Sequence, residues 1–114
     1  MEAKDDILAE LARHGETRTW EPGSVVIHEG DEADCLYIIH SGELRAVVAG
    51  DGDRQVELNT LGPGEFFGEL MLSGGRRSAT VEVISRAQLT RVPKAALEQV
   101  LAAHPQLGDR KSVV

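Results

Sequence analysis

The stretch GPGEFFGELMLSGGRRSATVEV, residues 62–83, decides how the chain is read. Apolar segments flank it, yet it carries Gly62, Gly64, Gly68, Gly74 and Gly75, a carboxylate at Glu69 and the arginine pair Arg76 and Arg77. Glycine at that density is foreign to a strand interior, and only residues 69–72 have the make-up of a helical turn. Backbone N–H groups at the start of such a turn point the same way and lack an intrahelical acceptor, so they form a seat for a phosphate oxygen. Gly68 lets the backbone come close to that oxygen. Arg77, at the entry to the following strand, offers a forked guanidinium that matches two phosphate oxygens, which lysine does not. Glu69 would be repelled by the phosphate and is better used as an acceptor for a sugar hydroxyl.

Outward from this stretch the chain is strand and turn. Upstream run TRTW, SVVIH, CLYIIH, ELRAVVA and RQVELNTL, separated by EPG, EGDEAD, SG, GDGD and GPGE; downstream come SATVEVI and QLTRVP. Turn residues recur roughly every 8 to 12 positions, the rhythm of an antiparallel sandwich or barrel. Thr80, Glu82 and Ile84 alternate with Val81 and Val83, as in a strand wetted on one face. The fold expected is mainly β: an antiparallel, jelly-roll-like β-roll over residues 17–93, interrupted by the glycine-rich segment at 67–81. A short helix over residues 1–16 places Ile7, Leu8, Leu11 and Ala12 on one face, is capped by Asp5 or Asp6 and stops at Gly15. Pro93 can open a last helix, 94–105, with an apolar stripe of Ala96, Leu97, Val100 and Leu101 that ends at His104-Pro105. Residues 106–114 read as a polar tail, and the 114 residues as a single domain.

Composition narrows the function. With 19 acidic residues against 12 basic ones, net charge −7, a nucleic-acid surface would work against its own field, and any anion must find a local exception. The single cysteine, Cys35, excludes an internal disulfide and a multi-cysteine metal site, and suits a reducing cytoplasm. Apolar runs such as CLYII fall far short of the roughly 20 residues that span a bilayer, and the acidic start is unlike a signal peptide, so a cytoplasmic location is expected.

An acid for the sugar, an arginine for the phosphate and helix-start amides between them describe a nucleotide whose compact phosphate lies close to its ribose, as in a cyclic 3′,5′-phosphate. F-G-E-L followed by R-S-A-T-V resembles the phosphate-binding cassette of the cyclic nucleotide-binding domains found in catabolite activator proteins, protein kinase A regulatory subunits and cyclic-nucleotide-gated channels. EPGSVVIHEGDEADCLYIIHSGEL is similar to the glycine-punctuated first half of that family, and LGPGEFFGEL to its approach to the cassette. The resemblance covers about residues 17–105. It implies Glu69 on the ribose 2′-hydroxyl, backbone groups of Gly68, Leu70 and Met71 around the phosphate, Arg77 paired with the phosphate, and Ser78 and Ala79 alongside, with Phe67 a candidate pocket wall. In the family a further helix often caps the base. Only residues 106–114 follow Pro105, so a purine left partly exposed is expected.

The reading is of a regulatory sensor, not an enzyme: it needs no cofactor beyond the ligand, cAMP ahead of cGMP. It would pass a shift of its terminal helix to a fused effector domain or a homodimer partner. Two alternatives stay open: an interaction domain on the same fold without nucleotide, and a cupin-like metal-dependent enzyme. The second needs clustered histidines and a carboxylate, whereas His28 and His40 stand in or beside separate strands without such company. Cys35 reads as a small hydrophobe at a strand start, Trp20 and Phe66 as core aromatics, Arg76 as a solvated neighbour of the phosphate ligand, and EGDEAD as a wet loop. The glycines at 23, 30, 42, 50, 52, 62 and 64 are assigned to turns.

Overall fold

The computed structural model describes residues 9–68 and 76–103. The expected cap at Asp5 or Asp6, the apolar pair Ile7 and Leu8, the helical turn with Glu69, Leu70 and Met71, and the tail after His104 lie outside the described residues. The elements are α1 (described over residues 9–13), β1 (Glu16–Trp20), β2 (Val25–Ile27), β3 (Cys35–Ala49), β4 (Gln55–Leu61), β5 (Phe66–Phe67), β6 (Thr80–Pro93) and α2 (Lys94–Ala103). The mainly antiparallel β architecture expected from the turn rhythm is the one observed. All six strands join one sheet in the order β1-β6-β3-β4, with β2 also on β6 and β5 also on β3.

Two long strands organise that sheet. β3 and β6 pair from Cys35↔Pro93 at one end to Val47↔Thr80 at the other. Each serves two shorter partners in succession: β6 takes β2 near its start, through Ile27↔Val81, and β1 towards its end, through Trp20↔Ala87. β3 likewise takes β5 through Tyr37↔Phe67 and then β4 from Leu44↔Leu61 to Ala49↔Gln55.

Here the structure corrects the strand boundaries. The sequence suggests a break at Ser41-Gly42 and another between Ile84 and Gln88, but each segment is one continuous strand with register shifts between Ile39 and Leu44. Gly42 is thus a sheet bend and not a chain-reversing turn, which the residue itself cannot announce because both uses need the same backbone freedom. Its φ is +93°, and a Cβ there would lie 2.5 Å from Ala87 Cα. Pro93 closes β6 opposite Cys35 instead of opening the helix.

The bend rolls the sheet over one core. Cys35, Tyr37, Ile39 and Phe67 from one half share an interior cluster with Leu44, Ala46, Leu61, Ala79 and Val81 from the other, as the expected alternation along Val81 and Val83 requires. Tyr37 stacks on Phe67 at 5.3 Å and meets Trp20 edge-on at 6.4 Å. The first half of β3 is buried on both faces. Leu36 and Ile38 point away from the roll, into a second cluster with Leu11 of α1, Val92, and Leu97 and Val100 of α2. Phe66 packs at the margin of that cluster, and the backbone N–H of Lys94 donates to the Asp34 carbonyl at 3.2 Å. No helix among the described residues is long and apolar enough to cross a membrane.

The bend gives a stability test. Gly42→Ala adds a methyl group at a positive φ and against β6, so it should destabilise the fold by at least about 2 kcal/mol in denaturant unfolding. A loss of only a few tenths would show that the sheet yields at this corner.

Candidate functional site

Arg77 lies just upstream of β6, but its contacts are with the β2–β3 connection at the far end of β3. Its backbone N–H donates to the Asp31 carbonyl at 2.7 Å, and its own carbonyl accepts from the Gly30 N–H at 2.8 Å. These two bonds hold the arginine across the mouth of the roll. The side chain then turns inwards and is only 3% exposed. Its Nη1 donates to the Gly68 carbonyl at 3.3 Å, and its Nη2 reaches the Cys35 sulfur at 3.3 Å.

Gly68 is required at this point for two reasons. Its φ is +99°, and a Cβ would run into Arg77 Nη1 while lying 2.9 Å from the Cys35 carbonyl. Gly68 and Arg77, nine residues apart, and Cys35, 42 residues before Arg77, therefore form one packed contact. Burial pushes the Cys35 thiol up, against smaller downward pulls from the Tyr37 hydroxyl and the Arg77 charge, so the sulfur stays a neutral partner at neutral pH. The nearest carboxylate to Arg77 among the described residues is that of Asp34, at 3.7 Å from Nη2, 68% exposed and shared with Arg91 at 3.8 Å. A guanidinium has five N–H donors. Among the described residues this one has a carbonyl, a weakly accepting thiol and a carboxylate beyond hydrogen-bond distance, so those partners leave donors of a buried positive charge unspent.

The structure brings together some of the candidate residues and separates others. Gly68 and Arg77 meet; Ala79 is buried in the core beside them, and Ser78 is exposed. Phe67 is wholly buried in the stack under Tyr37. Arg76 is exposed, with Nη1 on the Gly30 carbonyl at 3.2 Å, as befits the solvated member of the pair. Glu69, Leu70 and Met71 fall outside the described residues. Sequence reasoning missed Asp34 and Cys35. From the sequence Asp34 reads as part of the wet loop EGDEAD and Cys35 as a plain hydrophobe, and nothing local in the chain marks either as a neighbour of Arg77. Among the described residues no three His, Cys, Asp or Glu side chains gather in a way that would hold a metal ion.

The sequence profile of the family described as "Cyclic nucleotide-binding domain" matches residues 17–104. This chain belongs to that family. It is 36% identical over 107 residues to the mouse (Mus musculus) cyclic nucleotide-gated channel alpha-4, covering 88% of this chain and 18% of the channel. The catabolite activator protein of Thermus thermophilus superposes with a TM-score of 0.82 at 25% identity, over 91% of this chain and 49% of that one. The regulatory domain of Toxoplasma gondii PKA, co-crystallised with cAMP, superposes with a TM-score of 0.76 at 31% identity, over 84% of this chain and 37% of that one. The chain spans less than a fifth of the length of the curated relatives compared. This cyclic nucleotide-binding domain is a mainly antiparallel β-roll, and its Arg77 sits in a contact built from three separate segments.

The site carries its own pH signature. Burial, and then the neighbouring Cys35, push the Tyr37 hydroxyl up to about 12 from an ordinary value of 10.0. The unfolded chain loses this proton first, so the contribution to stability is complete below pH 10 and is lost as the pH rises towards 12. Tyr37→Phe should flatten the fall in melting temperature across that window. An equally steep fall in the variant would assign alkaline unfolding to other groups.

Proposed function

We propose that this chain is the sensor module of a larger protein, binding a cyclic nucleotide between residues 67–81 and the interior of the roll, with cAMP preferred to cGMP. The observation that carries this reading is the buried, under-neutralised Arg77 guanidinium packed against Gly68. In the bound state Arg77 pairs with the ring phosphate, the backbone groups of Gly68, Leu70 and Met71 line it, and Glu69 accepts from the ribose 2′-hydroxyl. Ser78 and Ala79 lie beside the phosphate, and Phe67 backs the pocket from within the core. The cAMP held by the similar PKA domain supports this choice of ligand.

The response follows from the double burial of β3. Cys35 touches Arg77, and the next residue, Leu36, packs under α2. A ligand that draws the guanidinium away from Cys35 and Gly68 therefore acts one residue from the helix contact, and the packing of α2 is the element that reports it. The module carries no reaction of its own. It passes its signal to an effector domain fused to it or to a second subunit, in a cytoplasm that keeps Cys35 reduced.

Calorimetric titration with cAMP and cGMP tests the site. Arg77→Ala strips a buried phosphate of its charged partner and should weaken binding by roughly 2 to 5 kcal/mol, while Arg76→Ala should cost little and mainly at low salt. Full affinity in Arg77→Ala would remove Arg77 from the site. Hydrogen exchange tests the response: added cAMP should change the protection of Lys94–Ala103, and an unchanged helix would mean that the domain binds without reporting through α2.

A further inference from the structure

A second guanidinium stands beside the Arg77 contact, and the nucleotide reading does not use it. Arg91 on β6 lies directly opposite Tyr37 on β3, so its side chain leaves the sheet on the inner face, at the end of the roll where β3 begins. It is 42% exposed, and its Nη2 is 3.8 Å from Oδ2 of Asp34. The other oxygen of the same carboxylate, Oδ1, is 3.7 Å from Nη2 of the buried Arg77. Burial raises the Cys35 thiol while the charges of both arginines pull it down, which puts the two guanidinium groups on either side of one sulfur.

Both carboxylate contacts are roughly an ångström longer than a charge-assisted hydrogen bond. Asp34 is thus stretched between two cations and bonded to neither. Its backbone cannot follow either of them, because its carbonyl accepts from the Lys94 N–H at 3.2 Å at the start of β3. Only the side chain can turn. Glu16 on β1 also stands opposite Arg91 but forms no ion pair with it among the described residues, so Asp34 is the carboxylate that Arg91 engages. Two positive charges therefore share one negative charge around a neutral thiol, in a chain whose net charge is −7.

We infer that Arg91 keeps Arg77 receptive to an anion by holding the Asp34 carboxylate off it. Without Arg91 the carboxylate turns onto Arg77 Nη2 and becomes an internal competitor that a ligand phosphate must displace. Arg91 is a positioning residue: it sets affinity through Asp34 and does not touch the ligand. This rests on the cyclic-nucleotide reading above and adds to it the group that keeps the binding arginine short of a counterion.

A double-mutant cycle read by calorimetric titration with cAMP tests it. Arg91→Gln keeps the length of the side chain and removes its charge, and should weaken binding by roughly three- to tenfold, the worth of one partly exposed ion pair. Arg91→Lys should restore most of that loss. Asp34→Asn should tighten binding, and adding Arg91→Gln to it should change the affinity by less than about twofold, since no carboxylate is left to compete. An equal loss from Arg91→Gln in both backgrounds overturns the inference, because Arg91 would then act on the phosphate directly or on the fold. Unchanged affinity in Arg91→Gln beside lost binding in Arg77→Ala also overturns it, and leaves the nucleotide site standing. Absence of cAMP binding by the unmodified protein overturns both.

Discussion

The long antiparallel pairing of β3 with β6 is the constraint on which the rest of this domain depends. Every other strand attaches to one of these two, so their register fixes which side chains face the interior. A slip of one residue would turn Val81, Ala46 and Leu44 outwards and expose the core. The pair must also bend, because a flat sheet of this size would leave one apolar face open. The bend falls where Gly42 packs directly on the Ala87 backbone.

Rolling creates a problem that the site turns to use. The chain entering β6 is tied at Arg77, by two backbone bonds, to the Gly30–Asp31 turn. It carries a guanidinium into a place where water is excluded and where, among the described residues, no carboxylate lies within hydrogen-bond distance. A charge so placed costs stability, and under the proposed function an anionic ligand would recover it. The same geometry explains why position 68 has to be glycine: side chain, guanidinium and the Cys35 carbonyl cannot share the space.

Coupling to the outside is equally a matter of layers. β3 is covered by the roll on one side and by α1 and α2 on the other, so successive residues Cys35 and Leu36 belong to different clusters. The Arg77 contact and the helix packing are thus one residue apart on a strand whose two faces are both filled, the route the proposed function uses.

Much of this was legible in the chain. The turn rhythm and the Val81–Val83 alternation settle an antiparallel roll, since period-two burial needs no tertiary information. The glycines around Glu69 and the arginine pair point from the sequence to an anion site, because few other uses explain that composition between two strands, and the structure adds the contact of Gly68 with Arg77. Arg77 was separable from Arg76 by the SATV that follows it, and the structure buries the first and exposes the second. The tertiary structure alone decided three things. Gly42 and the break in β6 became bends, because a turn residue states only that the backbone must be free, and the partner strand opposite determines whether the chain reverses. Asp34 and Cys35 became neighbours of Arg77, because a contact across more than forty residues leaves no local pattern. Asn59 became an inward acceptor with no partner among the described residues, because a bulge between Ala46 and Val47 shifts the register of β4, and alternation read along the strand does not survive that shift.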